Sequence, residues 1–376
     1  MATLTSMARG MAVASCLAAA LTASAAQIVV GQVAPLSGLE GNLGRAYATG
    51  LRLALNRANA SGTGGHTFTL VSKDDGSRTA DTLAATRLLL SDSRPLVLAG
   101  FFGDRGVGEL VSTGLLEKEN IALVGYRVAE IRGESPLVYN VRASLRDEIN
   151  KIAEHLVTVG ITRIGLFHQD GPAAEPLITA IEEIMKSRGA QLTSKGSYPV
   201  GTAKVSSAVV DAFMAAKPQA IIMVASGSAS AAFIERYRMD NGAAQLFTHS
   251  GADIEQMSLR LGEEQMKGVA ITQVTPSPYK VSGRLIKEFN DAVAKSPKLD
   301  GPVSYAMVEG FIAGNVIVEA AQRMGPKATR EGFVAALDSI DNLDMGGYKV
   351  GFKPGMRVGS RFVELTIVSA AGRIRQ

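Results

Sequence analysis

The sequence predicts an α/β protein of two doubly wound lobes. Three observations lead there. Apolar, β-branched runs alternate with amphipathic segments along almost the whole chain, the pattern of parallel strands joined by right-handed crossovers. The alternation runs as two similar series, one from Ile28 to Gly125 and one beginning near Asn140. Thr275-Pro276-Ser277-Pro278 then breaks the pattern and reads as a crossing between lobes.

The first unit, Ile28 to Ala58, sets the scheme. Ile28-Val29-Val30-Gly31-Gln32-Val33-Ala34 reads as a strand buried on both faces. A loop of turn residues follows, with Pro35, Ser37, Gly38, Gly41, Asn42 and Gly44. Leu43, Tyr47, Leu51, Ala54, Leu55 and Ala58 then mark one face of a helix. In open sheets of such units, ligands sit outside the carboxyl ends of the strands. The loop holds no complete dinucleotide or phosphate motif, so alone it establishes only a βα unit.

The other elements follow in order. Strands are expected at Phe68 to Val71, Pro95 to Gly100 and Ile121 to Gly125, with helices at Thr79 to Leu90 and Val107 to Glu119. In the second series, helices are expected at Ile149 to Val159, Glu175 to Arg188, Val205 to Lys217 and Ala231 to Met239. Its strands are Arg163 to Phe167, Ala220 to Ala225, Leu246 to Thr248 and Val269 to Val274. Helices at Ser282 to Ala294, Val303 to Met324 and Thr329 to Leu337 come next. A β ending follows at Tyr348 to Phe352 and Phe362 to Val368, with a turn at Ala371-Gly372.

The 376 residues suggest about two domains, and 46% hydrophobic against 20% charged content supports a sizeable core. Residues 1–26 read as a secretory signal: Arg9, the apolar run Met11 to Leu21, then Ala23-Ser24-Ala25, with cleavage after Ala25 or Ala26. Cys16, the single cysteine, lies inside this segment; Val13-Ala14-Ser15-Cys16 only faintly resembles a lipobox, so lipid anchoring is not expected. Without Arg9, 38 basic residues face 35 acidic ones, a net charge of +3 with no dense basic cluster, which speaks against nucleic acid.

Catalytic and cofactor motifs are missing. Gly103-Asp104-Arg105-Gly106-Val107-Gly108 has its glycines in the wrong order for a dinucleotide fingerprint. No Walker sequence, H-E-x-x-H or G-x-S-x-G is found, and His66, His155, His168 and His249 are scattered. No catalytic residue, metal or cofactor is expected. Lys73-Asp74-Asp75 reads as a strand-end turn rather than a metal site, and of Phe101 and Phe102 at least one is core.

Taken together, several short pieces resemble the type I periplasmic solute-binding proteins of ABC transporters, the leucine/isoleucine/valine-binding family. They are Ala34-Pro35-Leu36-Ser37-Gly38 with Gly44 and Gly50, Asp74-Asp75, and Asn140-Val141-Arg142-Ala143-Ser144. Gly160-Ile161-Thr162-Arg163-Ile164, Gly268-Val269, and Gln273-Val274-Thr275-Pro276 follow, then Ser304-Tyr305, Glu309-Gly310, Gly346-Gly347 and Gly359-Ser360. The resemblance implies two Rossmann-like lobes, joined by a three-segment hinge, that close on a small ligand. Lobe 1 would comprise residues 27–142 and 277–349, lobe 2 residues 143–276 and 350–376.

Departures from the family concern the ligand. Where amino-acid binders often carry serine or threonine for a carboxylate, this chain has Phe102-Gly103-Asp104-Arg105 and Tyr126-Arg127-Val128-Ala129. Gly171-Pro172-Ala173-Ala174 stands where an aromatic wall often lies, and His249-Ser250-Gly251-Ala252, with Asp253 displaced, where an ammonium-pairing acid often lies. These departures point away from a branched-chain amino acid.

The candidate ligand-binding residues are Ser37, Phe101, Phe102, Gly103, Asp104, Tyr126 and Arg127 on one lobe, and Gln169, Asp170, Ser226, Gly227 and Ser250 on the other. Arg127 and Arg105 are candidates to clamp a carboxylate, the alternative being rim residues paired with Asp104 and Glu130. The expected protein is a monomeric, non-enzymatic periplasmic component of an ABC importer. Its partners are a small polar, carboxylate-bearing ligand, amino-acid-like or an aromatic acid, and an inner-membrane permease. The alternative is a periplasmic sensor partnering a signalling receptor.

Overall fold

The computed structural model describes residues 26–62, 65–128, 135–353, 356–369 and 374–375. Residues 1–25 of the signal segment with Cys16, Glu130 and the Ala371-Gly372 turn lie outside the described residues.

A five-stranded sheet is built from β1 (Gln27–Ala34), β2 (Thr67–Asp74), β3 (Val97–Phe102), β4 (Leu123–Arg127) and β5 (Val138–Tyr139), in the order β2-β1-β3-β4-β5. All its pairings are parallel. The helices of this part are α1 (Gly41–Ser61), α2 (Thr82–Ser93), α3 (Asp104–Ser112) and α4 (Leu115–Glu119). The single helix expected from Val107 to Glu119 is therefore two, divided at Gly114, whose φ is +64°.

The second series supplies α5 (Leu145–Thr158), β6 (Arg163–Gln169), α6 (Ala174–Ser187), β7 (Gln191–Tyr198), α7 (Ser207–Ala216), β8 (Ala220–Val224), α8 (Gly227–Met239), β9 (Gln245–Thr248), α9 (Ile254–Met266) and β10 (Ala270–Gln273). Next come α10 (Arg284–Lys295), α11 (Tyr305–Met324), α12 (Arg330–Asp338), the short hairpin of β11 (Leu343–Asp344) and β12 (Lys349–Val350), then β13 (Glu364–Val368) and β14 (Ile374–Arg375). The second sheet has the order β14-β13-β10-β9-β8-β6-β7, with β13 and β14 antiparallel to their neighbours. β7 was not legible in the sequence because Gln191–Tyr198 is a half-exposed edge strand with few apolar residues. α9 was missed as well; Gly262, at φ +67°, interrupts its regularity.

Each sheet is covered on both faces. In the first, α1, α10, α11 and α12 pack on one face and α2, α3 and α4 on the other. In the second, α5 and α6 cover one face, while α7, α8 and α9 cover the other. α1 and α11 cross very closely, because a Cβ on Gly50 would lie 1.9 Å from the Met307 carbonyl oxygen and one on Gly310 2.1 Å from that of Tyr47.

The chain passes between the sheets three times, as the resemblance implied: at 140–144, at 274–283 and between β12 and β13, where 351–353 and 356–363 are described. The first and third passes are tied together. Asn140 N donates to Arg357 O and Gly359 N donates to Asn140 O, each at 2.7 Å.

Candidate functional site

The carboxyl ends of β3 and β4 carry the inner wall of the first lobe. Gly100 and Gly125 have φ of +66° and +71°, a region open to glycine at little steric cost. They occur at the same level, between the pairs Ala99–Val124 and Phe101–Tyr126. Each reverses the alternation of its strand. Phe101 and Tyr126 consequently join Leu98 and Leu123 in the core under α2 and α3, while Phe102 packs on the α1/α11 side with Ala99 and Val124. Phe102 meets Tyr47 edge to face at 5.6 Å. Both phenylalanines are thus core residues, with 0% and 4% exposure.

Arg127 follows this inversion onto the α11 side. Its Nε lies 3.6 Å from Glu309 Oε2, and its Nη2 donates to Ser250 O at 2.8 Å. The second contact joins the first sheet to the loop after β9 in the second. Beside it, Arg142 in the first crossing donates to Glu148 Oε1 at 2.9 Å and to Ser250 Oγ, and lies 3.5 Å from Glu309 Oε2. Glu148, on α5, also accepts from Ser250 N at 2.8 Å, Ser250 Oγ at 2.9 Å and Thr272 Oγ1 at 2.6 Å. None of the four charged side chains is more than 7% exposed. Two arginines and two glutamates leave the cluster neutral, which such burial requires.

Farther out, Asp74 at the end of β2 organises the first loop. It accepts from Leu36 N, Ser37 N and Gly76 N at 2.9, 3.2 and 2.8 Å, and from Ser37 Oγ at 2.6 Å. Against some desolvation, these bonds hold its carboxyl below the usual range. Glu40, just before α1, is pushed upward by burial and by Asp253, Asp75 and Asp104, with Arg127 opposing.

On the second lobe, Tyr198 Oη accepts from Ser226 N at 3.0 Å, and Ser226 Oγ accepts from Ala229 N at 3.3 Å, capping α8. A Cβ on Gly227 would lie 2.1 Å from Ala252 O, so the loops after β8 and β9 interlock at a position only glycine fits. His249, whose basicity is lowered chiefly by burial, accepts from Gly251 N at 3.2 Å. Glu255 reaches outward from α9. Its Oε1 accepts from Tyr279 Oη at 2.6 Å and from Tyr305 N, the start of α11, at 3.0 Å. Burial and Asp253 push it up to about 8.

The structure brings Arg127 and Ser250 into direct contact and places Gly103, Asp104, Ser226 and Gly227 at strand ends. Ser37 and Asp170 are exposed, and Gln169 is half-buried at the end of β6. Arg105 is a correction: 67% exposed, it pairs with Glu109 at 2.9 Å on its own helix and is no partner of Arg127 in a clamp. Nor is Arg127 a rim residue. Arg142 and Glu309 stand in pieces that carry the family resemblance but are not among the candidate ligand-binding residues, and nothing in the sequence singles out Glu148. One signal was present, since Glu309 is an acid inside Tyr305–Met324, a helix otherwise apolar almost all round. Among the described residues no group of histidine, cysteine, aspartate or glutamate is arranged to hold a metal ion, and no helix is long and apolar enough to cross a membrane.

Two covered α/β sheets, linked by three chain segments and touching through their strand-end loops, define a two-lobed binding-protein fold. Residues 27–364 match the periplasmic binding protein family, and the chain belongs to that family of solute-binding proteins. It is similar to a substrate-binding periplasmic protein from Ralstonia solanacearum, at 35% identity and a TM-score of 0.87, covering 93% of this chain and 99% of that one. A possible leucine/isoleucine/valine-binding protein from Rhodopirellula baltica shares the fold at 23% identity and a TM-score of 0.82, covering 95% and 98%. So does an ABC transporter substrate-binding protein from Aeropyrum pernix, at 16% and 0.81, covering 93% and 94%. No curated protein sequence matches the chain.

Proposed function

We propose that the protein is the extracytoplasmic solute-capturing component of an ABC importer, reached through an N-terminal signal segment. Its ligand is a small polar, carboxylate-bearing compound, amino-acid-like or an aromatic acid. The lobes, residues 27–142 with 277–349 and 143–276 with 350–376, close on it by rotation about the three crossings. The observation that carries this reading is the contact of Arg127 with Ser250, which ties the strand ends of one sheet to those of the other. Ligand contacts come from Ser37, Gly103 and Asp104 on one side and Gln169, Asp170, Ser226 and Gly227 on the other, with Arg127 closing the inner end.

A thermal-shift screen of amino acids and aromatic acids tests the ligand class, since a ligand at 100 times its Kd adds about 2.7 kcal/mol of stability. Scattering with and without each hit tests closure. Superimposable profiles for every hit, in the parent and in Arg127→Leu/Glu309→Gln alike, would remove the clam-shell mechanism, and turnover of a hit by the purified protein would remove the non-enzymatic reading.

A further inference from the structure

The inner end of the gap between the lobes is spanned by the protein itself. Arg127, from β4, reaches Ser250 O directly. The loop that presents this carbonyl is held from behind, because Glu148 takes both Ser250 N and Ser250 Oγ. Arg142 sits on the first crossing with Glu148 on the lobe-2 side and Glu309 on the lobe-1 side, so it stands at the pivot.

We propose that Arg127 and Ser250 form a built-in latch, pivoting on Arg142, that draws the lobes together before any ligand is bound. Three features support this. First, Glu309 compensates the charge of Arg127 within lobe 1, so closing strands no unpaired ion. Second, the bond gained on closure has a charged donor and a pre-positioned acceptor, the stronger kind of hydrogen bond. Third, the contact fills the inner end with protein, since Arg127, Arg142, Glu148 and Glu309 are each no more than 7% exposed. Ligand then completes a closure already favoured, and less of its binding free energy is spent on moving the lobes. The latch belongs to the ligand-free protein, so it stands or falls independently of which solute is carried.

The test is a distance measurement on protein stripped of ligand by unfolding and refolding. Labels go on Leu88→Cys and Met239→Cys, exposed on α2 and α8, in a chain carrying Cys16→Ser. The parent protein is expected to show a closed population without ligand. In the charge-balanced double variant Arg127→Leu/Glu309→Gln, the closed-to-open ratio should fall about tenfold or more, the loss of one hydrogen bond to a charged group. Arg105→Ala should leave it unchanged. Ser250→Ala, which keeps the carbonyl but loosens its support, should give a smaller fall and guards against misfolding of the double variant. Raising ionic strength should leave the parent ratio unchanged, because the cluster is shielded from solvent. An entirely open ligand-free parent would overturn the latch. So would equal ratios in parent and double variant, or a closed population that salt abolishes.

Discussion

Gly125 lies directly beneath Tyr47, so close that a Cβ there would stand 2.4 Å from the phenolic oxygen. The hydroxyl itself has no hydrogen-bond partner among the described residues. Gly125→Ala meets both a crowded site and a positive φ. Unfolding measurements should show a loss of at least about 1–3 kcal/mol. Tyr47→Phe, which removes the offending oxygen, should be nearly neutral alone and should recover part of the loss in the double variant. Strict additivity of the two would mean that the clash is not what Gly125 avoids.

Arg127 and Arg105 are neighbours in the sequence reading and opposites in the structure. Once a ligand is identified, calorimetry on Arg127→Ala should show affinity reduced about tenfold or more, the loss of the charged hydrogen bond to Ser250 O that favours closure. Arg105→Ala, on an exposed pair, should change affinity by less than about 1 kcal/mol. The reverse order would remove Arg127 from the inner end of the site.

Glu255 gives the protein a pH dependence with a definite sign. Its carboxyl ordinarily titrates at 4.5 and is pushed up to about 8 by burial and by Asp253. Between those values the folded state holds a proton that the unfolded state releases, so folding is favoured by the proton and stability falls as pH rises. The contribution is fully present below 4.5 and is lost as pH passes through about 8. Glu255→Gln keeps an acceptor for Tyr279 Oη and Tyr305 N but cannot titrate. Thermal unfolding across this window should be less pH-dependent in the variant than in the parent. Identical slopes would take Glu255 out of the account, leaving Glu40 and Asp75, which burial also raises.

Gly227 joins the two ligand-side loops of the second lobe. In Gly227→Ala the new methyl meets backbone, the Ala252 carbonyl, which cannot rotate away. The variant should lose about 1–3 kcal/mol of stability. It should also bind ligand more weakly, because the Ser226 and Ser250 loops are forced apart. Unchanged affinity at reduced stability would place the ligand away from this junction.

The fold is legible in the sequence where periodicity is strong. The two series of strands and helices, the break at Thr275-Pro276-Ser277-Pro278, and the family resemblance carried by short motifs such as Asn140-Val141-Arg142-Ala143-Ser144 were all legible. It is not legible where local pattern is weak, as at the edge strand β7 and the kinked α9. Nor is the charged cluster. Arg142 and Glu148 are six residues apart, but Ser250 and Glu309 lie more than a hundred residues further on, and nothing local distinguishes a buried glutamate on an amphipathic helix such as α5 from a solvated one.

Composition and hydrophobic period by themselves determined that this chain forms two α/β units with their strand ends available for a ligand, because burial of alternating apolar segments admits few other arrangements. Which arginine turns inward was decided only by tertiary structure. Arg105 and Arg127 both stand close to the end of a strand, and both strands carry a glycine near the end. Arg105 is already on the first turn of α3 and finds Glu109 four residues on, whereas Arg127 is still on β4, after the inversion at Gly125, and faces Glu309 on α11. That outcome depends on a backbone φ and on a helix nearly two hundred residues away, and neither is written in the residues around the arginine.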